Sequence, residues 1–520
     1  MSLQDKINSL YPFKDSLSRN LIGIEKEGLR VAKDGTIAQT PHPESFGSAL
    51  THPEITTDFS EALVEIVTKP TQGSHNVIDE LAKIHHYVQH HLPKSERFWP
   101  ASMPCILRGK TNIPIAYYGE SNLGKMKTVY RRGLSNRYGS VMQAIAGIHF
   151  NYSFSKDFWN AYRELIAPLS KVDSQKFISH HYMGLTRNVL RFGWLITYLF
   201  GASATVCKSF MQDYHEHNLE EFDDNTLYLP YATSLRMGDI GYQNSQEDKK
   251  GVKANYNSLR HYIYSLRAAM QTSCDDCETI GVKKDGEYQQ LNTNILQIAN
   301  EYYSSVRPKP SINGSDRPLN ALLNEGVGYV ELRSLDVNPL MKEGIDEEQV
   351  QFLEAFMLFC LLEDSPAVST SELNEIDVNA NLVAHRGREP ELSLSHNGED
   401  LTLLNWGQSI LDKVNDCSVL MSDDHQKSVK NISKRIFDPD LTPSAQMLNQ
   451  MKDEEKGFFE YTDQFSRKNK ELFNEMSISD GYFEDLDYQK TLSVKRQIEI
   501  ESSDTLSFDD FLVDYFSSDT

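Results

Sequence analysis

Three widely separated segments each read as a β-strand with charged residues at alternating positions. They are Gly23-Ile24-Glu25-Lys26-Glu27-Gly28-Leu29-Arg30, Gly147-Ile148-His149-Phe150-Asn151-Tyr152 and Tyr329-Val330-Glu331-Leu332-Arg333-Ser334. Residues two apart on a strand share a face. Glu25 therefore points with Glu27, His149 with Asn151, and Glu331 with Arg333. Two carboxylates side by side repel each other, so a cation should sit between them. Acids and an imidazole gathered on one sheet face hold divalent metal, and an arginine beside them holds phosphate. The combination points to phosphoryl chemistry on a sheet.

The intervening chain supports a mixed architecture. Asp34-Gly35 reads as a hairpin turn after the first strand. Residues 62–68 read as a second strand, stopped by Pro70. Residues 75–92 have helical periodicity, with Val77, Leu81, Ile84 and Val88 on one side. Helices are expected over 124–146, 156–168, 172–200 and 256–270, and strands over 147–154, 289–299 and 327–335. After about residue 340 the pattern is mostly helical and increasingly polar. The stripe Leu506, Phe508, Phe511, Leu512, Tyr515 and Phe516 should dock on the body. No regular βαβ rhythm appears, so the expected class is α+β with a largely antiparallel sheet. No long Pro/Gly-rich linker marks a boundary, and one unit over 1–520 is expected. Within it, 1–345 form the catalytic sheet and helices, and 346–520 a mostly helical C-terminal part.

Composition excludes several classes. A net charge of −22 argues against a duplex-binding surface, which needs basic residues to displace counterions. The six cysteines are sparse for 520 residues, which argues against a disulfide scaffold. The start of the chain lacks an apolar signal segment, and the longest apolar run, near Phe192–Ala204, is too short to span a bilayer. A cytoplasmic protein acting on small molecules, without nucleic acid or membrane as partner, is expected.

Other motifs carry less. Gly119 to Met126 nearly matches a phosphate-binding loop, but Met126 stands where a hydroxyl must ligate magnesium. Cys274-Asp-Asp-Cys277 has no second ligand pair for zinc, and its acids raise the thiol pKa, so it reads as a loop with two ordinary thiols. His86 and His90, one helical turn apart, lack the intervening glutamate of a zincin and read as a solvated helix face. The basic stretch Lys125–Arg132 either attracts an anionic small molecule or is a solvated helix face.

The chemistry therefore rests on Glu25, Glu27, Asp58, Glu65, His149 and Glu331, a mostly oxygen donor set that suits Mg²⁺ or Mn²⁺ better than zinc. Each acid taken alone reads better as half of a salt bridge, with Arg30 and Arg333 as candidate partners, and it is the set of strands together that favours a site. Arg236 and Arg333 supply forks suited to carboxylate or phosphate.

Taken together the chain resembles the bacterial monofunctional glutamate–cysteine ligase family. The resemblance lies in Ile24–Arg30, Ser48–His52 with Ile55–Phe59, Trp99–Cys105, Asn136–Gly139 through Gly147–Asn151, Tyr198–Ser203, Leu229–Arg236 and Tyr329–Asp336, in family order. It implies a glutamine-synthetase-like fold with a curved antiparallel sheet. It also implies ATP-dependent joining of the γ-carboxyl of glutamate to the amine of cysteine, the first step of glutathione synthesis. By position, Glu25, Glu27, Glu65, His149 and Glu331 match family metal ligands, with Asp58 close by. Arg236 matches the glutamate-binding arginine, and Arg333 the arginine facing the transferred phosphoryl group. Phe59, Tyr130, Leu134, Tyr242 and Tyr303 match the cysteine pocket. Gly28 stands where a polar residue is common, and Arg132 where an acid is common. The resemblance further implies a monomer without the ATP-grasp extension that adds glycine. The alternative is a γ-glutamyl ligase for a different amine. In either case phosphorylation converts the glutamate carboxylate into an acyl phosphate, Arg333 stabilises the moving group, and Asp58 or a neighbouring carboxylate takes the amine proton. Loop 237–256 is a candidate cover over the site.

Overall fold

Alternation of apolar and charged residues over Leu21–Ala32 produces the longest strand, β1, which is buried along nearly its whole length. In the computed structural model, which describes residues 1–109, 112–169, 171–214, 217–241, 253–311, 317–476 and 480–517, β1 is the centre of a mixed-length antiparallel sheet. The other strands of the sheet are β2 (Ile55–Thr57), β3 (Leu63–Val67), β4 (Glu96–Phe98), β5 (Ile148–Ser153), β6 (Val306–Lys309) and β7 (Tyr329–Leu335). The order across the sheet is β6-β7-β5-β1-β3-β2, with β4 pairing the far end of β1. Every one of these pairings is antiparallel, which gives the expected α+β class with helices around the sheet.

One sheet face is closed by helices. Helix α1 (Ser74–His91) packs on β1 and β3, and Lys26 Nζ reaches His85 Nδ1 across that interface at 3.2 Å. Gly28 points the same way. A Cβ built there would lie 2.1 Å from the Phe98 ring, so close packing requires glycine at this position. Helix α2 (Asn122–Tyr138) and helix α3 (Ser174–Phe192) flank the sheet. Helix α4 (Glu347–Leu362) is buried on all sides from Gln349 to Leu362, as its almost unbroken apolar run dictates. It packs on α1 and α3 and makes the centre of the helical layer. Two further helices, α5 (Asp480–Ser503) and α6 (Phe508–Ser517), return to the body. Phe508, Phe511 and Leu512 of α6 pack on Met126 and Val129 of α2, which is the docking expected of the terminal apolar stripe. No helix among the described residues is long and apolar enough to cross a membrane.

Several local expectations are corrected. The helix expected over 124–146 stops at Tyr138, because Gly139 takes φ +87° and caps it. Residues 289–299 form no strand. Only Asn294 makes a bridge, to Ser273, and the real edge strand is β6. Cys274 and Cys277 are not separate thiols but a disulfide at the start of a short helix. Their three-residue spacing brings the Cα atoms to 5.2 Å, within bridging range. His86 is not on a solvated face, because it is buried against Phe483 of α5. The near phosphate-loop motif is an ordinary helix start. Ser121 caps α2, and the Asp504 carboxylate accepts from the Asn122 amide.

Candidate active site

The open face of the sheet is organised by register. Directly opposite pairs on antiparallel strands bring side chains within about 5 Å. Glu27 of β1 faces Glu65 of β3, and Glu65 faces Thr56 of β2. Glu25 faces His149 of β5. Asn151 faces Glu331 of β7, and Glu331 faces Arg307 of β6. Acids thus gather at the β3–β1 side and cations at the β7–β6 side.

The acidic side is crowded. Single ligand atoms of Glu25, Glu65 and His149 all lie within 4.8 Å of one another. His149 Nδ1 lies 2.9 Å from Glu25 Oε2 and Nε2 lies 3.7 Å from Glu27 Oε1. Asn151 donates to Glu25 Oε1, and the Gly147 amide donates to Glu27 Oε2 at 2.7 Å. Burial, then the charges of Glu25, Asp58 and Glu27, push the Glu65 carboxyl well above its usual range. Burial and Asp58 push Glu27 up to about 8, against the pull of Arg236 and Arg333. Burial and Arg333 keep the His149 imidazole neutral over a wider range. Two carboxylate oxygens and a neutral imidazole, with repelling acids around them and too little positive charge, fit an oxygen-preferring divalent cation.

The cationic side is internally paired. Glu331 accepts from Lys309 Nζ and Arg333 Nη1, each at 3.0 Å. Burial would raise Glu331, but Lys309, Arg333 and His149 together hold it well below the usual carboxylate range. Arg333 is thus the salt-bridge partner that the sequence offers for Glu331. Arg30 serves no site acid. It is fully buried on the closed side and pairs with Glu96 at 2.7 Å.

One cavity joins the two sides. Glu27, Asp58, Phe59, His149, Arg236 and Arg333 line it, and Tyr130, Leu134 and Tyr303 form its more apolar wall. Arg236 is buried, donates to the Arg333 carbonyl at 2.8 Å, and lies 3.7 Å from Asp336 Oδ1. A Cβ at position 147 would lie 2.1 Å from Arg236 Nη2, so Gly147 makes room for that guanidinium over the strand. Tyr242 lies outside the described residues, as does most of the loop over 237–256.

The glutamate–cysteine ligase family model matches residues 9–383. The chain belongs to the glutamate–cysteine ligase family. It is 42% identical over 507 residues to a glutamate–cysteine ligase of Alcanivorax borkumensis, with 95% of each chain covered. It is 43% identical over 507 residues to one of Pseudomonas putida, with 96% of this chain and 95% of the other covered. The crystal structure of glutamate–cysteine ligase from Francisella tularensis in complex with AMP superposes with a TM-score of 0.90. That pair is 33% identical, with 96% of this chain and 98% of the other covered. A bifunctional glutathione synthetase from Pasteurella multocida shares the fold at TM-score 0.72 and 23% identity, over 94% of this chain and 57% of its own.

Within this glutamate–cysteine ligase framework, two lining residues, Arg307 and Arg131, and the Glu331 partner Lys309 escaped the sequence reading. Arg307 and Lys309 alternate on β6, but Pro308 between them disguises the strand. Proline is tolerated there because β6 is an edge. Arg131 sits in the basic stretch of α2. It donates to the Asp58 carbonyl and stacks on Tyr118, so it lines the cavity and is not on a solvated face. The only prior signal was local basicity.

Proposed function

We propose that the chain is an ATP-dependent ligase that joins the γ-carboxyl of L-glutamate to the amine of L-cysteine through a γ-glutamyl phosphate, the first step of glutathione synthesis. The observation that carries this reading is the cavity in which Glu27, Asp58 and His149, beside the Glu25–Glu65–His149 cluster, meet Arg236 and Arg333. Family membership and the names of the close relatives support it. The nucleotide in the Francisella tularensis structure supports ATP as co-substrate.

Glu25, Glu65 and His149 would hold Mg²⁺ or Mn²⁺, with Glu27, Asp58 and Glu331 as further ligands around them. When bound, such ions neutralise nucleotide phosphates and lower the electrostatic cost of phosphoryl transfer. Arg236 grips the glutamate substrate, its fork already oriented by the Arg333 carbonyl and Asp336. Arg333 faces the phosphoryl group in flight and stabilises the charge that develops on it. Phe59, Tyr130, Leu134, Tyr303 and, outside the described residues, Tyr242 form the slot for cysteine. The Asp58 carboxylate accepts the proton released when the cysteine amine attacks the acyl phosphate. Their enclosure excludes water, which would otherwise hydrolyse that intermediate. The same reading makes residues 1–520 a single-unit cytoplasmic monomer, with neither nucleic acid nor membrane as partner.

ADP release from ATP with Mg²⁺, glutamate and a panel of amines tests the reading. Release is expected to require glutamate and cysteine together, with 2-aminobutyrate as a weaker substitute. Equal rates with unrelated amines would shift the assignment to a different γ-glutamyl ligase, and no glutamate-dependent release would end it. Arg236→Lys should raise the glutamate KM about tenfold or more while the ATP KM stays within about twofold, because a point charge cannot replace the two-pronged grip. An unchanged glutamate KM would remove Arg236 from that role.

A further inference from the structure

The segment from Gln289 to Tyr303 makes one isolated bridge, Asn294 to Ser273, in place of a strand ladder, yet much of it is buried and it supplies a large part of the cavity wall. Ile295, Leu296, Asn300, Glu301, Tyr302 and Tyr303 all line the cavity. Buried backbone carbonyls need donors. Here one guanidinium serves three of them, while the Thr293 carbonyl accepts from the Cys274 amide and those of Asn300 and Tyr302 accept from Arg307. Arg137 donates through Nη2 to the Asn292 carbonyl at 2.7 Å. It donates through Nη1 to the carbonyls of Asn294 and Ile295 at 3.0 and 3.2 Å, and through Nε to Gln290 Oε1 at 2.8 Å.

The same guanidinium pairs with a carboxylate of the segment it holds. Arg137 Nη1 lies 2.9 Å from Glu301 Oε1, and the two side chains are 2% and 0% exposed. Glu301 is itself fully used. Its Oε1 accepts from the Tyr138 hydroxyl at 2.8 Å, and its Oε2 accepts from the Gln297 amide at 2.7 Å. Gln297 in turn accepts from the Leu291 amide and donates to the Tyr130 carbonyl of α2. Tyr130, Leu134, Arg137 and Tyr138 recur at helical spacing, so they share one face of α2. That face carries three cavity residues, Tyr130, Leu134 and Tyr138, and with them the group that fixes the opposite wall. Arg137 belongs to the Asn136–Gly139 motif, which the reading of the active site leaves without a role.

We infer that Arg137 is a specificity-positioning residue. By holding the 289–301 backbone through its carbonyls and Glu301, it sets the width of the slot that admits a small, uncharged amino-acid acceptor. Arg137 does not line the cavity, and it acts through the segment it orders. The inference rests on reading this cavity wall as the acceptor site.

The test is steady-state kinetics of Arg137→Met and Arg137→Lys on the full chain with Mg²⁺, varying cysteine, 2-aminobutyrate, valine, glutamate and ATP in turn. In Arg137→Met the cysteine KM is expected to rise about tenfold or more, and the preference for cysteine over valine to fall by a similar factor. The KM values for glutamate and ATP are expected to stay within about twofold. Arg137→Lys keeps a charge opposite Glu301 but cannot span the carbonyls. It should show the same selectivity change in smaller measure, and it serves as the reporter if the methionine variant does not fold. A folded variant with unchanged cysteine KM and unchanged amine selectivity overturns the inference. So does an equal rise in all three KM values, which would mark a merely structural role. A wild-type chain with no glutamate- and amine-dependent ADP release would instead overturn the underlying functional reading.

Discussion

Glu65→Gln is expected to lower turnover by roughly a thousandfold, equivalent to about 4 kcal/mol of lost transition-state stabilisation, while making the metal-free protein more stable. The two effects share one cause. Glu65 stands across the strand pair from Glu27 and shares a 4.8 Å cluster with Glu25 and His149. Burial and the charges of Glu25, Asp58 and Glu27 raise its carboxyl well above the ordinary value of 4.5. A group whose pKa is raised on folding stabilises the fold fully below its unfolded value. That contribution is lost as pH rises through the folded value. Metal-free wild-type protein should therefore lose stability from about pH 4.5 upward through this residue, and the glutamine variant should lose less. At pH 8 the metal-free variant is expected to melt roughly 2 °C higher, the shift that about 1 kcal/mol gives in a large domain. A variant that keeps more than about a tenth of wild-type turnover, or one that melts lower at pH 8, would contradict the role given to this carboxylate.

Arg333→Ala is expected to cost a similar factor, about a thousandfold in kcat, with smaller changes in the KM for ATP and glutamate. Arg333 Nη1 is 3.0 Å from Glu331 and 3.5 Å from His149 Nδ1, so its guanidinium is held at the border between the acidic and cationic sides. Its removal does not strand Glu331, which keeps Lys309 at 3.0 Å. The melting temperature should therefore change little, and lost turnover reports on the reaction rather than the fold. Arg333→Lys should recover little, because an ammonium cannot face Glu331 and a phosphoryl group with the same fork. If single-turnover measurements show the alanine variant within about tenfold of wild type, the residue stabilises no transition-state charge.

The parts of this arrangement that were legible from sequence are those with a period of two. Glu25 and Glu27, His149 and Asn151, and Glu331 and Arg333 announce one shared face each, because a strand leaves no other geometry. What sequence does not carry is register. Nothing local says that Glu65 will stand opposite Glu27, or Asn151 opposite Glu331. Those pairings come from how four strands align. Residues 289–299 show the converse error. Their alternation imitates a strand, but beyond one bridge at Asn294 the carbonyls of Asn292, Asn294 and Ile295 are met by Arg137 from a distant helix, and no periodicity records a side chain that substitutes for a ladder. Strand β6 fails for the opposite reason, since Pro308 hides two alternating cations on an edge where proline is permitted. The disulfide at Cys274 and Cys277 and the buried His86 depend on a local turn and on a helix packed from the far end of the chain. The cysteine spacing is visible in a short window but does not say whether the thiols pair, and the packing over His86 leaves no local mark at all.

The most direct test of the account is a Mn²⁺ titration of the full chain in the presence of a non-hydrolysable ATP analogue, followed by electron paramagnetic resonance. Wild-type protein is expected to take up the ion, and Glu65→Gln is expected to bind it at least about tenfold more weakly. Equal Mn²⁺ affinity in the two proteins, or no uptake by the wild type, would show that the acids assembled by β1, β3 and β5 are not a cation site.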